Sequence, residues 1–212
     1  RDDLILSAGI RYDDFDSFGS TTNPRLALVW TPMPRTTLKG IYGTAFRAPS
    51  AYELYYNDGN IFQKAAEDLD PETIETFELI LEQQLTPALR AVASVYKNTV
   101  EDLIVAEEDP SDGLVVFDNR GDAEVRGAEV ELLGNWQDGW RGSLSYGYAD
   151  AEDDDGSSLV NSPRHLFKLN LIAPLIGESL SAGVELQYES SRKTLAGERS
   201  DDFFLTNLTL FS

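Results

Sequence analysis

The chain has 212 residues, with 17 Lys and Arg against 37 Asp and Glu and a formal net charge of −20, which excludes a generic nucleic-acid binder, since that needs a basic patch. With 42% apolar residues it is too hydrophobic for a disordered acidic tail and long enough to bury a core. Cysteine is absent, which removes disulfides, thiolate metal sites and cysteine nucleophiles, and His165 is the single imidazole. No apolar run approaches the roughly 20 residues that a membrane helix needs. The start at Arg1, without methionine or an apolar leader, reads as a fragment.

Period-2 alternation dominates. From Leu4 to Tyr12 the even positions are Leu4, Leu6, Ala8, Ile10 and Tyr12, and the odd ones are mostly polar; Leu180, Ala182, Val184, Leu186 and Tyr188 repeat the pattern late in the chain. Alternation with one apolar face predicts strands. Taken in order, it predicts ten, at 3–13, 24–31, 36–47, 72–85, 88–106, 114–136, 140–150, 164–173, 179–192 and 202–211, with a bulge or break near Gly121 in the long sixth one.

The connections alternate in length. Short turns fall at 32–35, 86–87, 137–139 and 174–178, and longer segments at 14–23, 48–71, 107–113, 151–163 and 193–201. A transmembrane barrel segregates loops in this way, with tight periplasmic turns and working loops outside, whereas a soluble sandwich has no reason to. Trp30, Trp136 and Trp140 lie at the short-turn end, and Tyr12, Tyr146, Tyr148 and Tyr188 at the other, as two interfacial aromatic belts would. Most of the negative charge lies in the longer loops, which reads as a solvated rim. The run Glu152-Asp-Asp-Asp155 lacks the spaced acids of an EF-hand.

Several segments carry a family resemblance: Asn23-Pro-Arg-Leu-Ala-Leu-Val-Trp30, Leu38-Lys-Gly-Ile-Tyr-Gly-Thr-Ala-Phe-Arg-Ala-Pro-Ser50, Tyr52-Glu-Leu-Tyr-Tyr56 and Asp70-Pro-Glu-Thr-Ile-Glu-Thr-Phe-Glu-Leu79. Val100-Glu-Asp-Leu-Ile104, Asn119-Arg-Gly121, Gly127-Ala-Glu129 and Ser162-Pro-Arg-His165 continue the series. In this order and spacing they resemble the C-terminal β-barrel part of TonB-dependent outer-membrane receptors. The resemblance implies an all-β, antiparallel, up-and-down transmembrane barrel, typically of 22 strands, in the outer membrane of a Gram-negative bacterium. Residues 1–212 would supply about ten of those strands, with a plug domain before them and two more strands after them. It also implies active uptake of a scarce large nutrient, a ferric siderophore or a similar chelate such as cobalamin or haem, driven by the TonB energy-coupling protein acting through the plug. Outer-membrane lipid and lipopolysaccharide would surround the barrel.

Alternation assigns faces. With Leu26, Leu28, Trp30, Leu38, Tyr42 and Phe46 towards lipid, Arg25, Lys39 and Arg47 turn to the lumen, and Arg11, Glu78, Glu82, Glu129, Glu131, Glu185 and Gln187 join them; a charge on the lipid face costs a few kcal/mol near the midplane. In a plugged barrel such groups pair across strands or with the plug. For ligand binding the candidates are Arg47, Tyr52, Tyr55, Tyr56 and Asn57, because Pro49 ends a strand and exposed tyrosines then offer rigid amphipathic area; the same rings would serve equally as belt or loop packing. No nucleophile motif, metal cluster or phosphate-binding glycine loop is present, and no cofactor is implied. A passive porin-like channel or adhesin is the competing reading, and an outer-membrane enzyme using Ser162 with His165 a distant third.

Overall fold

The computed structural model describes residues 3–66, 68–177 and 179–212. They form twelve strands and one short helix: β1 (Leu4–Phe15), β2 (Gly19–Met33), β3 (Thr36–Arg47), α1 (Ala51–Tyr55), β4 (Glu72–Thr86), β5 (Leu89–Glu101), β6 (Ile104–Glu108), β7 (Val115–Asn119), β8 (Ala123–Asn135), β9 (Arg141–Asp153), β10 (His165–Ile176), β11 (Leu180–Glu189) and β12 (Phe203–Phe211). Ten of these make one antiparallel sheet in the order β1-β2-β3-β4-β5-β8-β9-β10-β11-β12, each strand paired with its neighbour in the chain except at β5 and β8. Strands β6 and β7 form a separate hairpin inserted there.

Two of the long alternating segments are therefore each two strands. The stretch 88–106 divides into β5 and β6 at Asp102, and 114–136 divides into β7 and β8 at Gly121; both residues sit at positive φ, 59° and 89°. A left-handed residue on each side of the pair turns the hairpin out of the sheet. The first long loop is also shorter than its composition suggests. β1 and β2 stay paired up to Phe15 and Gly19, so polar residues such as Asp13, Asp14, Ser20 and Thr21 lie in strands.

Register joins the alternating faces across the sheet. One row runs Leu6, Leu28, Gly40, Leu79, Val95 and Ala128, and another joins Tyr146, Phe167, Tyr188 and Phe204. The apolar face is open: Leu6, Ile10, Leu79, Val95 and Leu208 are all exposed. Such an expanse of exposed hydrophobic surface marks a face that meets something other than water. No helix among the described residues is long and apolar enough to cross a membrane, so any crossing is made by strands. The one buried cluster among the described residues, Leu54, Leu69 and Ile104 with Ala66 and Phe117 against it, lies outside the sheet, between the 48–71 loop and the β6–β7 hairpin.

The opposed faces give a direct prediction. In the full-length protein folded into lipid vesicles, Leu79→Arg lowers unfolding free energy by about 2–4 kcal/mol, and Thr76→Arg, on the other face, costs far less. Urea titration reads both; equal losses would mean that the two faces see the same medium.

Candidate functional site

The segment after β3 is built around Arg47. Its guanidinium donates to the Glu72 carboxylate at 2.5 and 2.6 Å and to the Glu53 carboxylate at 3.1 Å. Glu72 also accepts the backbone N–H of Ile104 at 2.9 Å, so one arginine links the end of β3, the start of β4, helix α1 and the hairpin. Helix α1 starts at a capping box: the Ser50 hydroxyl accepts from the Glu53 N–H at 3.3 Å, and the Glu53 carboxylate accepts from the Ser50 N–H at 2.6 Å. The reciprocal bonds satisfy two donors that the helix leaves free.

The next turn is fastened by carboxylate and amide caps. Asp58 accepts from the backbone N–H groups of Ile61, Phe62 and Gln63 at 2.9 to 3.2 Å, and the Asn57 side-chain oxygen accepts from those of Gly59 and Asn60. Beyond it the chain lies beside β7. The Val115 N–H donates to the Phe62 carbonyl at 2.9 Å, and the Lys64 N–H donates to the Val115 carbonyl at 3.0 Å. Lys64 Nζ then reaches Asp109 at 2.5 Å and Asp112 at 2.9 Å in the hairpin's own turn. Asn119 completes the link by accepting from the Asp70 N–H and donating to the Asp70 and Asp102 carbonyls. Loop and hairpin are thus one folded unit.

Of the residues singled out for ligand binding, four are engaged within this unit. Arg47 is held by two carboxylates, Asn57 caps a turn, and Tyr52 stacks on Tyr56 at 4.6 Å and meets Phe117 edge-on at 5.8 Å. Tyr55 is 66% exposed. Reading the residues passed over Ile61 and Phe62, which are 82% and 68% exposed on the capped turn. Their signal is an apolar pair directly after the polar run Asn57-Asp-Gly-Asn60. Exposed apolar side chains on a turn with so many backbone bonds form a rigid contact surface, the pre-organised kind that loses little entropy on binding.

Register places Arg11, Arg25, Lys39, Glu78, Glu82, Glu129, Glu131 and Glu185 on the sheet face opposite the apolar one. Lys39 donates to Glu82 at 2.5 Å, Arg11 pairs with Asp13, and Asn207 donates to Glu185 at 3.1 Å. Among the described residues Glu78, Glu129 and Glu131 form no ion pair. His165 Nδ1 is hydrogen-bonded to the Tyr146 hydroxyl at 2.8 Å and its ring lies 5.4 Å from that of Tyr148, whereas the Ser162 hydroxyl donates to the Val160 carbonyl. The two residues of the enzyme reading thus have separate partners. No group of three or more His, Asp or Glu among the described residues is placed to hold a metal ion, the Glu152 to Asp155 run included.

The turn and the clasp carry a pH dependence. Backbone donation, first from Phe62, holds the Asp58 carboxyl below its ordinary range; hydrogen bonding from Lys64 does the same, foremost, for Asp109 and Asp112. Carboxylates depressed on folding contribute order that is fully present above their unfolded pKa of about 3.9 and is lost as pH falls through the depressed values. The protection of the Ile61, Phe62 and Gln63 amides, relative to free amides at the same pH, should therefore hold at pH 5 and fall only well below pH 4, and Asp58→Asn should remove the acid step. Loss of protection already at pH 5 to 6 would contradict the arrangement.

Comparison with known proteins identifies the architecture. A family model described as "TonB dependent receptor-like, beta-barrel" matches residues 1–212. The iron-regulated outer membrane virulence protein of Vibrio cholerae is 29% identical over 94% of this chain and 33% of its own length, and the vitamin B12 transporter BtuB of the same species is 27% identical over 90% and 29%. Among solved structures, the siderophore receptor PirA of Acinetobacter baumannii superposes with a TM-score of 0.83 at 18% identity, over 99% of this chain and 37% of that one. A ferric enterobactin receptor of Pseudomonas aeruginosa gives 0.84 at 21%, over 98% and 35%. The chain spans about a third of the length of the curated relatives it matches. It belongs to the TonB-dependent receptor family, as a stretch of the β-barrel domain seated in the outer membrane of a Gram-negative cell.

Proposed function

We propose that this barrel segment serves an uptake receptor that binds a bulky metal chelate, foremost a ferric siderophore, at its extracellular loops and passes it inward with energy from the TonB complex. The observation that carries the reading is the rigid platform of the 48–71 loop and the β6–β7 hairpin, which presents Tyr55, Ile61 and Phe62 to solvent on a family barrel. Rigid aromatic and aliphatic area suits a large, partly apolar chelate, because it is desolvated at little entropic cost. Cobalamin and haem belong to the same class of bulky chelates, and the vitamin B12 transporters among the relatives support including them.

On this reading the charged face lines the lumen. Glu78, Glu129 and Glu131 then await cationic partners on a plug preceding this segment, and Lys39, already held by Glu82, stiffens the wall. The barrel performs no covalent chemistry: it binds, and the force that releases the ligand comes through the plug. Family membership counts against the passive channel or adhesin.

The test uses the full-length receptor. Tyr55→Ala with Phe62→Ala should weaken binding of the cognate ferric siderophore, found by iron-limited growth on a siderophore panel, by at least tenfold, as loss of central contact residues does. Arg47→Ala should weaken it too, by loosening the loop, with a matching rise in loop proteolysis that the double variant lacks. Full affinity in a folded double variant would remove the platform from the binding site.

A further inference from the structure

The outward face of β2 to β5 has a groove. Leu28 stands opposite Gly40, Gly40 opposite Leu79, and Leu79 opposite Val95; in the next row towards the short turns stand Trp30, Leu38, Leu81 and Ala93. The small residues leave a groove of about 500 Å³ among these larger ones. Lys39, Ile80 and Ser94 also border it, but alternation turns their side chains to the other face, where Lys39 meets Glu82. The side chains that line it are therefore all apolar.

The backbone does not call for glycine at position 40. Its φ lies outside the left-handed region, and a Cβ there would meet only Leu79 Cδ2, at an ordinary 3.6 Å. Glycine weakens a strand interior, so the groove is kept at a cost to the strand. At the periplasmic end of the same hairpin Met33 pairs with Thr36 around Pro34 and Arg35. Arg35 has φ 75°, in the turn position that ordinarily takes Gly or Asn. This exposed arginine forms no ion pair among the described residues. It lies three residues from Leu38, roughly 10 Å along the strand.

We propose that the groove over Gly40 and the guanidinium of Arg35 form one seat for a phospholipid of the periplasmic leaflet, with an acyl chain along Leu28, Leu79 and Val95 and the phosphate at Arg35. The groove is continuous with the band that already meets lipid, its walls offer nothing to a polar partner, and Arg35 lies in the short turn three residues from Leu38. An apolar slot with a cation in the turn beyond it matches the chemistry of a phospholipid from chain to head.

Native mass spectrometry of the full-length receptor, gently extracted from outer membranes, counts the phospholipid retained. The wild type should hold one molecule that Gly40→Leu and Ala93→Leu, each filling the groove, reduce at least tenfold, and that Arg35→Gln reduces several-fold. Should the filling variants fail to insert, quenching by brominated acyl chains in vesicles decides on the native protein. The tryptophan signal lost on Trp30→Phe should then be quenched more strongly than the signals lost on the corresponding changes at Trp136 and Trp140. Unchanged retention in folded filling variants, equal quenching at the three tryptophans, or a polypeptide co-purifying in place of lipid would overturn the proposal.

Discussion

The structure depends on one constraint: in hydrocarbon no backbone N–H or C=O can be left without a partner, because water is not there to supply one. Antiparallel neighbours meet that demand along the described ladder, with unbroken registers of twelve to thirteen residue pairs at β1–β2, β3–β4 and β8–β9. Once the backbone is satisfied by neighbours, the side chains are free to divide by environment. One face carries Leu, Val, Phe and Tyr into lipid, and the other carries Arg, Lys and Glu.

That division explains why the buried core is so small and where it lies. A sheet that places its apolar face against lipid needs no interior of its own, so the cluster of buried apolar side chains around Leu69, at 1% exposure, forms where the chain leaves the membrane. There, in water, the 48–71 loop needs a conventional core, a helix cap and ion pairs to hold a shape. Arg47 marks the boundary between the two regimes: it ends a membrane strand and fastens the loop that follows. The same physics separates two surfaces on one chain, the folded loop and hairpin beyond the sheet and the open apolar face of its strands.

The sheet is largely readable from the residues, because half-buried strands write their faces into every second position. β3 occupies the predicted span Thr36–Arg47, and the predicted break at Gly121 is where β7 ends and β8 begins. The β6–β7 hairpin escaped because the chain marks its start only with the polar pair Glu101-Asp102, with no Gly or Pro to signal a turn; the positive φ of Asp102 separates one strand from two. The short β1–β2 turn escaped for the opposite reason, since strands that rise above the membrane are polar on both faces and carry no period. The platform was half readable. Tyrosines in a polar loop draw attention, but that Arg47 is committed to Glu72, 25 positions away, follows from register, and the role of Asn119 in pinning Asp70 follows from the hairpin folding against the loop.

The central claim, one lipid face and one aqueous face on the strands of the ten-stranded sheet, is tested most directly along β4. The segment contains no cysteine, so single cysteines from Ile74 to Glu82 in the full-length receptor can each carry a nitroxide in a bilayer. Spin-label accessibility to oxygen, which concentrates in lipid, should peak at the odd positions 75, 77, 79 and 81, and accessibility to a water-soluble nickel chelate at the even ones. Accessibility that varies smoothly along the segment, or with a period near 3.6, would contradict the account.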